Sequence, residues 1–247
     1  IQRMESLMGS IYKDMGVTER ETMAYYSLSS ADVRSEMKRN DVGDITIRLS
    51  SMTNLPNHAK MLAGEMFSED GLSEDGYIET VVSQSCMVNT KVLVGEKLEF
   101  TALKKADGTP LRIKVVGVYD KSDSGDFYRQ VSPEQMNNIF LMKDDLFKEY
   151  FHGTNAKKYS ITCNYFPMFE YESCTAKGAE QMHKYTTDLV ETSVYRSTLE
   201  VPGYLEVLEN FSKKQDRIEA TLFILQIPVL ILLCAFLFMI ASQMYDM

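Results

Sequence analysis

Histidine is scarce in this 247-residue chain, and His58, His152 and His183 stand in no HExxH, no Cys/His cluster and no G-x-S-x-G elbow. Metal-assisted and triad hydrolysis lose their usual carriers. There is no P-loop and no GxGxxG either, so the phosphate-cradling loops of nucleotide enzymes are missing. Ser83, Ser85 and Cys86 cluster in sequence, but no base accompanies them, and acidic pairs such as Glu69/Asp70 fall in turn-like sequence. No catalytic, cofactor-binding or metal residue is therefore expected, and the chain reads as something other than an enzyme.

Cysteine is sparse as well. Of Cys86, Cys163, Cys174 and Cys234, the last lies in an apolar run, and the odd number left over argues against a disulfide framework. Cys163 and Cys174 could close a short loop in an oxidising compartment, and isolated thiols are the other reading. Excess positive charge is absent: the net charge is −9, and no basic patch or base-stacking motif offsets it, which excludes nucleic acid as a ligand. The chain begins at Ile1 and ends at Met247, and both ends are expected to be cuts through a longer protein.

The most informative absence is local. At 45% hydrophobic and 25% charged the composition looks soluble, yet all 26 Lys and Arg precede Ala220 and residues 220–245 carry no charge. The run ATLFILQIPVLILLCAFLFMIASQM covers residues 220–244 and lacks the polar stripe of a soluble core helix. At 1.5 Å per residue it reaches roughly 38 Å, against about 30 Å of hydrocarbon, so a membrane span is predicted. Pro228 removes the donor for the Ile224 carbonyl and predicts a kink. Gln226 carries an amide that is costly against lipid, which favours packing in a helix bundle over a lone anchor. Lys213, Lys214 and Arg217 flank the run on its N-terminal side. Taken alone they would put the charged part in the cytoplasm, but the rule weighs both flanks, and large domains translocate largely regardless of charge.

Upstream, the pattern mixes helices and strands. Residues 1–16 have helical spacing of Ile1, Met4, Leu7, Met8 and Ile11 and read as a helix continuing from a preceding membrane span. Strands are predicted at 25–28, 44–49, 77–83, 139–142 and 159–163. Residues 97–103 and 111–119 make a hairpin around Asp107-Gly108. Helices are predicted at 55–63 after Asn54 as N-cap, at 143–151 and at 176–191. The duplication SEDGLSEDG at 68–76 does not match an EF-hand loop and reads as solvated turns, as does DKSDSGD with Asp120, Asp123 and Asp126. The sixteen methionines are read as core packing, with an adaptable surface at Met4, Met8, Met15, Met52, Met61 and Met66 as the alternative. Tyr204, Leu208, Phe211, Gln215 and Ile218 are spaced 4, 3, 4, 3, a short heptad-like seam leading into the apolar run without Gly or Pro.

Three blocks then acquire a common meaning. Met61-Leu-Ala-Gly-Glu-Met with its acidic glycine turn and Gly76-Tyr-Ile-Glu-Thr-Val-Val-Ser, next Val92-Leu-Val-Gly-Glu-Lys-Leu-Glu-Phe, and then Ile113-Lys-Val-Val-Gly-Val-Tyr resemble, in order and spacing, segments of the extracytoplasmic domain of FtsX-like, MacB-type ABC transporter permeases. Leu225-Gln-Ile-Pro-Val-Leu is similar to their return into the membrane. The likeness covers about residues 61–120 and 204–242. Glu65 stands where a basic residue is usual, and Met66-Phe67 replaces a proline-containing turn.

The resemblance implies an α+β fold: a stalk helix at 1–16 after a missing span, an extracytoplasmic domain (one core or two subdomains) at 17–203, a stalk helix at 204–219 and a transmembrane helix at 220–245. It further implies a non-catalytic permease subunit, multi-pass in its full length, with residues 1–219 outside the cytoplasm. A cytoplasmic ABC ATPase would be its partner and a second permease copy its dimer mate. Its work would be mechanotransmission, serving peptide or lipoprotein export or the regulation of a cell-wall hydrolase. The competing expectations are a single-pass receptor or adhesin and a membrane-anchored hydrolase.

Overall fold

The computed structural model describes residues 2–37, 44–105, 107–120, 128, 136–151, 159–170, 173, 178, 181 and 204–245. Two compact units are present, Glu21–Met168 in one and Gln2–Arg20 with Phe169–Met247 in the other.

The first unit is built on a nine-stranded sheet. Its strands are β1 (Glu19–Leu28), β2 (Ala31–Ser35), β3 (Ile45–Met52), β4 (Lys60–Gly64), β5 (Ile78–Ser83), β6 (Lys97–Lys104), β7 (Pro110–Asp120), β8 (Ile139–Met142) and β9 (Ile161–Phe169). The order is β2-β6-β7-β5-β8-β3-β1-β9, β4 adds to β7, and a further β2–β3 pairing joins the first strand of that path to the sixth. The strands from β2 to β3 therefore close on themselves as a ring. Val33 shows how: one edge of β2 faces Ile45 of β3 and the other faces Phe100 of β6. Two pairings are parallel, β5 with β7 and β3 with β8, and β8 fits antiparallel against β5.

Period-2 alternation explains the packing. In β8, Phe140 and Met142 point to one face, among Ile47, Leu49, Ile78, Leu98, Phe100 and Ile113, while Ile139 and Leu141 point to the other, with Met23, Tyr25, Met52 and Tyr119. A strand covered on both faces carries a continuous apolar run rather than an alternating one, and β8 is buried at all four positions. Five of the described methionines, Met15, Met23, Met52, Met136 and Met142, are buried and Met61 and Met66 are packed at the margin of a cluster, so these serve as core filler, while Met37, Met239 and Met244 are exposed. Met4 has no described side chain.

Helix α4 (Asp144–Phe151) follows β8 after one residue. Leu146, Phe147 and Phe151 are its buried side chains, and Phe147 stacks on Tyr26 at 6.2 Å. Asp144 begins the helix, where a carboxylate is favoured by the dipole; it accepts from Ser51 Oγ at 3.1 Å and pairs with Lys148 at 3.0 Å. Burial nevertheless pushes its carboxyl above the ordinary aspartate range, with Lys148 and Ser51 opposing. The folded unit thus holds this proton more tightly than the unfolded chain does. The resulting stabilisation is present below an ordinary aspartate pKa of about 3.9 and is lost as pH rises through the raised value. Asp144→Asn is therefore expected to gain stability relative to the parent as pH rises across that window. The measurement is the difference in urea midpoints, from about pH 3 to about pH 7; a flat difference would show that burial leaves the Asp144 carboxyl unperturbed, and a falling one that Lys148 and Ser51 outweigh burial.

The β6–β7 hairpin forms as expected, with Gly108 at φ +86° and Asp107 Oδ1 accepting from Thr109 N and Oγ1. The two SEDG copies make the same turn: Gly71 N donates to Ser68 O at 3.0 Å and Gly76 N to Ser73 O at 2.8 Å. Both glycines have positive φ.

The expected helix at 55–63 is a correction. Only α2 (Leu55–His58) forms, Ala59 turns extended, and Lys60–Gly64 joins β7 as β4 instead. The ladder groups at the C-terminal end of β7, beyond the part paired with β6, prevail over local helix preference. Asn54 sits at the cap position but makes no cap bond; at φ 55° its side chain donates to Glu21 at 3.2 Å. Two elements had no sequence signal: β2, with Val33 as its one buried residue, and α3 (Gln84–Thr90), which starts directly from the last residue of β5. All of the expected helix at 176–191 but residues 178 and 181, Cys174 of the Cys163–Cys174 bridge, and Asp123 and Asp126 fall outside the described residues.

The second unit contains α1 (Gln2–Met15) and α5 (Tyr204–Tyr245). α1 ends at Gly16, φ +67°, whose N–H donates to Lys13 O while Val17 N donates to Tyr12 O, the paired bonds of a Schellman cap. Ile11, Tyr12 and Met15 form its buried face, with Tyr12 edge-on to Phe169 at 5.0 Å.

Candidate functional site

The sequence offered few chemical candidates, and the structure gives each a structural duty. Ser83 ends β5 and caps α3, accepting from Cys86 N at 3.0 Å and lying 2.9 Å from Ser85 Oγ. Cys86 is fully buried, and burial pushes its thiol up to about 12, far from the thiolate a nucleophile needs. His58 stacks on Tyr128 at 3.6 Å and places Nε2 3.0 Å from Glu21 Oε1, while Tyr128 OH donates to Thr53 O at 2.7 Å. These contacts tie Tyr128 to the turn after β3. His152 and His183 lie outside the described residues. Among the described residues no three His, Cys, Asp or Glu side chains gather as a metal site.

What the sequence blocks do share is a place. The glycines of three separate motifs meet where β4 lies on β7. A Cβ on Gly64, which has φ +69°, would fall 2.1 Å from Val116 O and 3.0 Å from Val94 Cγ1. A Cβ on Gly117 would fall 2.2 Å from Glu65 O and 2.4 Å from Met61 Cε. Gly95, at φ +88°, donates its N–H to Val115 O at 2.7 Å, and Val115 N returns to Glu96 O at 2.9 Å. Glu96 is buried and satisfied by Ser35 Oγ at 2.6 Å and Leu93 N at 2.8 Å. Residues about 20 to 50 positions apart in sequence thus form one close backbone crossing, in which Gly64 and Gly117 leave no room for a Cβ, whereas at Gly95 the positive φ alone favours glycine and a Cβ would meet nothing within 4 Å. Sequence reading found the blocks and missed that they touch.

The second feature is α5 itself, 42 residues with Pro228 inside. Its segment Lys213–Ser242 is long and apolar enough to cross a membrane and has no buried residue. Leu222, Phe223, Ile227, Leu230, Leu232, Phe236 and Phe238 project all around the helix, each 46% exposed or more. Water would charge heavily for that surface, about 25 cal/mol per Å² of apolar area, whereas lipid accepts it. Two polar side chains near its start bond within the helix, Gln215 Nε2 to Glu219 Oε1 at 3.2 Å and Thr221 Oγ1 to Arg217 O at 2.7 Å. The arrangement is that of an α+β unit joined in one chain to an apolar helix of spanning length.

No known family profile matches the sequence, and no curated protein matches it. Among solved structures, the periplasmic region of MacB from Actinobacillus actinomycetemcomitans is similar at 12% identity and a TM-score of 0.42, covering 73% of this chain and 72% of that one. The extracellular domain of the noncanonic ABC-type transporter YknZ from Gram-positive bacteria is similar at 14% identity and a TM-score of 0.36, covering 73% of this chain and 82% of that one. Likenesses at this level decide nothing about activity.

Proposed function

We propose that this chain is the extracytoplasmic part of an FtsX-like, MacB-type ABC transporter permease together with one of its membrane helices. It carries out no chemistry. A cytoplasmic ATPase hydrolyses ATP, a second permease copy completes a dimer, and tilting of the membrane helices moves the outer domains to export peptide or lipoprotein or to control a cell-wall hydrolase. Residues 1–16 and 204–219 are the two stalks in this reading, 17–203 the outer domain and 220–245 the span.

One observation carries the proposal: residues 204–245 form a single helix, so the charged stalk and the apolar span are one rod. A helix gains one hydrogen bond per residue and bends sharply only at particular defects. No Gly or Pro stands between Tyr204 and Ile227, so displacement of the first part of the span reaches the stalk with little loss, and Pro228 lies beyond that stretch. The three motif blocks support the same reading because they form one crossing, as segments of a shared architecture would.

The test is purification of the full-length protein from its native membranes in mild detergent, followed by identification of what accompanies it. A stoichiometric cytoplasmic ATPase is the expected result; its absence, under conditions where such complexes survive, would favour a single-pass receptor. Leu208→Pro is expected to break the rod, at about 3 kcal/mol or more of local helix stability. The variant should keep the ATPase and lose the ATP-driven separation of spin labels placed on the outer domains. If those labels respond as in the parent, the rod is not the relay.

A further inference from the structure

The seam of α5 has no cover. Side chains from Lys213 to Ser242 are all exposed, Ile218 at 60%. With Leu208 and Gln215 at heptad position a, Tyr204, Phe211 and Ile218 fall at d, and Leu222 and Leu225 carry a and d into the apolar run. Before Ala220 the positions turned away from a partner, b, c and f, hold only Glu206, Glu209, Asn210, Lys213, Asp216 and Arg217. Residues are thus sorted as in one strand of a coiled coil.

The flanking positions say what the other strand is. In a parallel pair each g residue meets the e residue five positions later on the partner helix. Lys214 is at g and Glu219 at e, and one heptad on Thr221 is at g and Gln226 at e. A second copy of this chain therefore offers carboxylate to ammonium before the apolar run, and amide to hydroxyl within it. The couple before these, Val207 with Ser212, is uncharged. Among the described residues Lys214 forms no ion pair. Glu219 accepts from Gln215 of its own helix at 3.2 Å, a contact exposed to water. Thr221 Oγ1 donates to Arg217 O, which leaves its lone pairs to accept from an amide that is costly against lipid.

The membrane supplies direction and register. Two copies are inserted the same way up, so their α5 helices run parallel, and the start of the apolar run at Ala220 puts equal residues at equal height. Gln215 then faces Gln215, and a polar residue at a single a position selects register and number of strands at a cost in stability. Residues 204–219 span roughly 24 Å, too short to pair between free chains in water. Confinement of both spans to one bilayer raises their effective concentration. Pro228 takes the next g position, and the kink it predicts ends the seam there.

We propose that α5 pairs with α5 of a second copy as a parallel, in-register coiled coil over residues 204–227, Lys214 meeting Glu219 and Thr221 meeting Gln226 between copies. The inference rests on the second copy in the permease reading and gives it a contact surface. Single cysteines at Ile218, position d, and Arg217, position c, are introduced in the full-length protein. They are oxidised with copper phenanthroline in native membranes, beside the parent as control for its own thiols. Yields are compared at equal retention after alkaline carbonate.

I218C should give at least about five times as much linked dimer as R217C. On the I218C background K214E, which opposes like charges, should lower the yield about five-fold at low salt, and K214E/E219K should restore it. Q226L should lower it about three-fold. Equal yields from I218C and R217C, no restoration in K214E/E219K, or an unchanged yield in Q226L overturns the pairing. The same membranes, solubilised in mild detergent, are probed for the ATPase. ATPase without the preference for I218C overturns the pairing and leaves the permease reading. The preference without ATPase upholds the pairing and removes that reading.

Discussion

Adding one methyl group at Gly117 should cost the outer unit far more than adding one at Gly76. At Gly76 the obstacle is conformational alone: φ is +76° and nothing lies within 4 Å, so alanine costs about 1–2 kcal/mol. At Gly117 the new carbon would sit 2.2 Å from the Glu65 carbonyl oxygen, a backbone atom that β4 holds in place. Relief requires β4 to leave β7, which adds lost ladder bonds and exposure of Met61 to the overpacking cost. A total of about 3 kcal/mol or more is expected, a large share of the 5–15 kcal/mol that stabilises a domain. Gly64→Ala should behave alike, since it combines φ +69° with a contact of 2.1 Å to Val116 O. Urea denaturation of the three variants checks this, with limited proteolysis locating the damage at β4. Equal midpoints for Gly117→Ala and Gly76→Ala would mean that the crossing relaxes freely and that the motif glycines are there for turns only.

The second large effect concerns the span. Leu232 lies midway along residues 220–244 and is 70% exposed. Arginine at the centre of a spanning helix costs about 2.5–3.5 kcal/mol on the insertion scale, and the leucine it replaces contributes about −0.3 to −0.6. Leu232→Arg should thus shift insertion by roughly 3–4 kcal/mol, more than a hundred-fold. Leu222→Arg, near the end, should cost much less because the side chain can reach the interface. Carbonate extraction of the two variants beside the parent gives the comparison. Identical extraction of all three would mean that α5 is covered by protein rather than by lipid.

How far the sequence reveals this molecule varies with the range of the forces involved. The residues of β8 and the β6–β7 hairpin are legible because their signals are local: four apolar residues in a row, and Asp107-Gly108 between alternating runs. The uncharged stretch 220–245 is legible for the same reason. β4 is not, since Leu55 to Ala63 favours helix locally and is drawn out only by an edge of β7 some 55 residues later. α3 is hidden because Ser83 ends one element and caps the next with no intervening residue. The glycine crossing is hidden for a deeper reason. Gly64, Gly95 and Gly117 each look like ordinary turn or strand glycines, and nothing in the neighbourhood of one names the others.

The place of β8 in the ring bears on how the chain can be made. β3 and β5 are synthesised early, yet the strand that lies between them arrives last of the ring's members, about 90 residues after β3. Until residues 139–142 emerge, both neighbours expose unpaired backbone along an edge, and Ile47, Leu49 and Val82 lack the partners that bury them. No earlier segment of the nascent chain can substitute, so the unit cannot mature strand by strand as it leaves the ribosome or a translocation channel. Folding waits for the keystone, and in that interval the growing polypeptide is at its most exposed to pairing with another copy of itself.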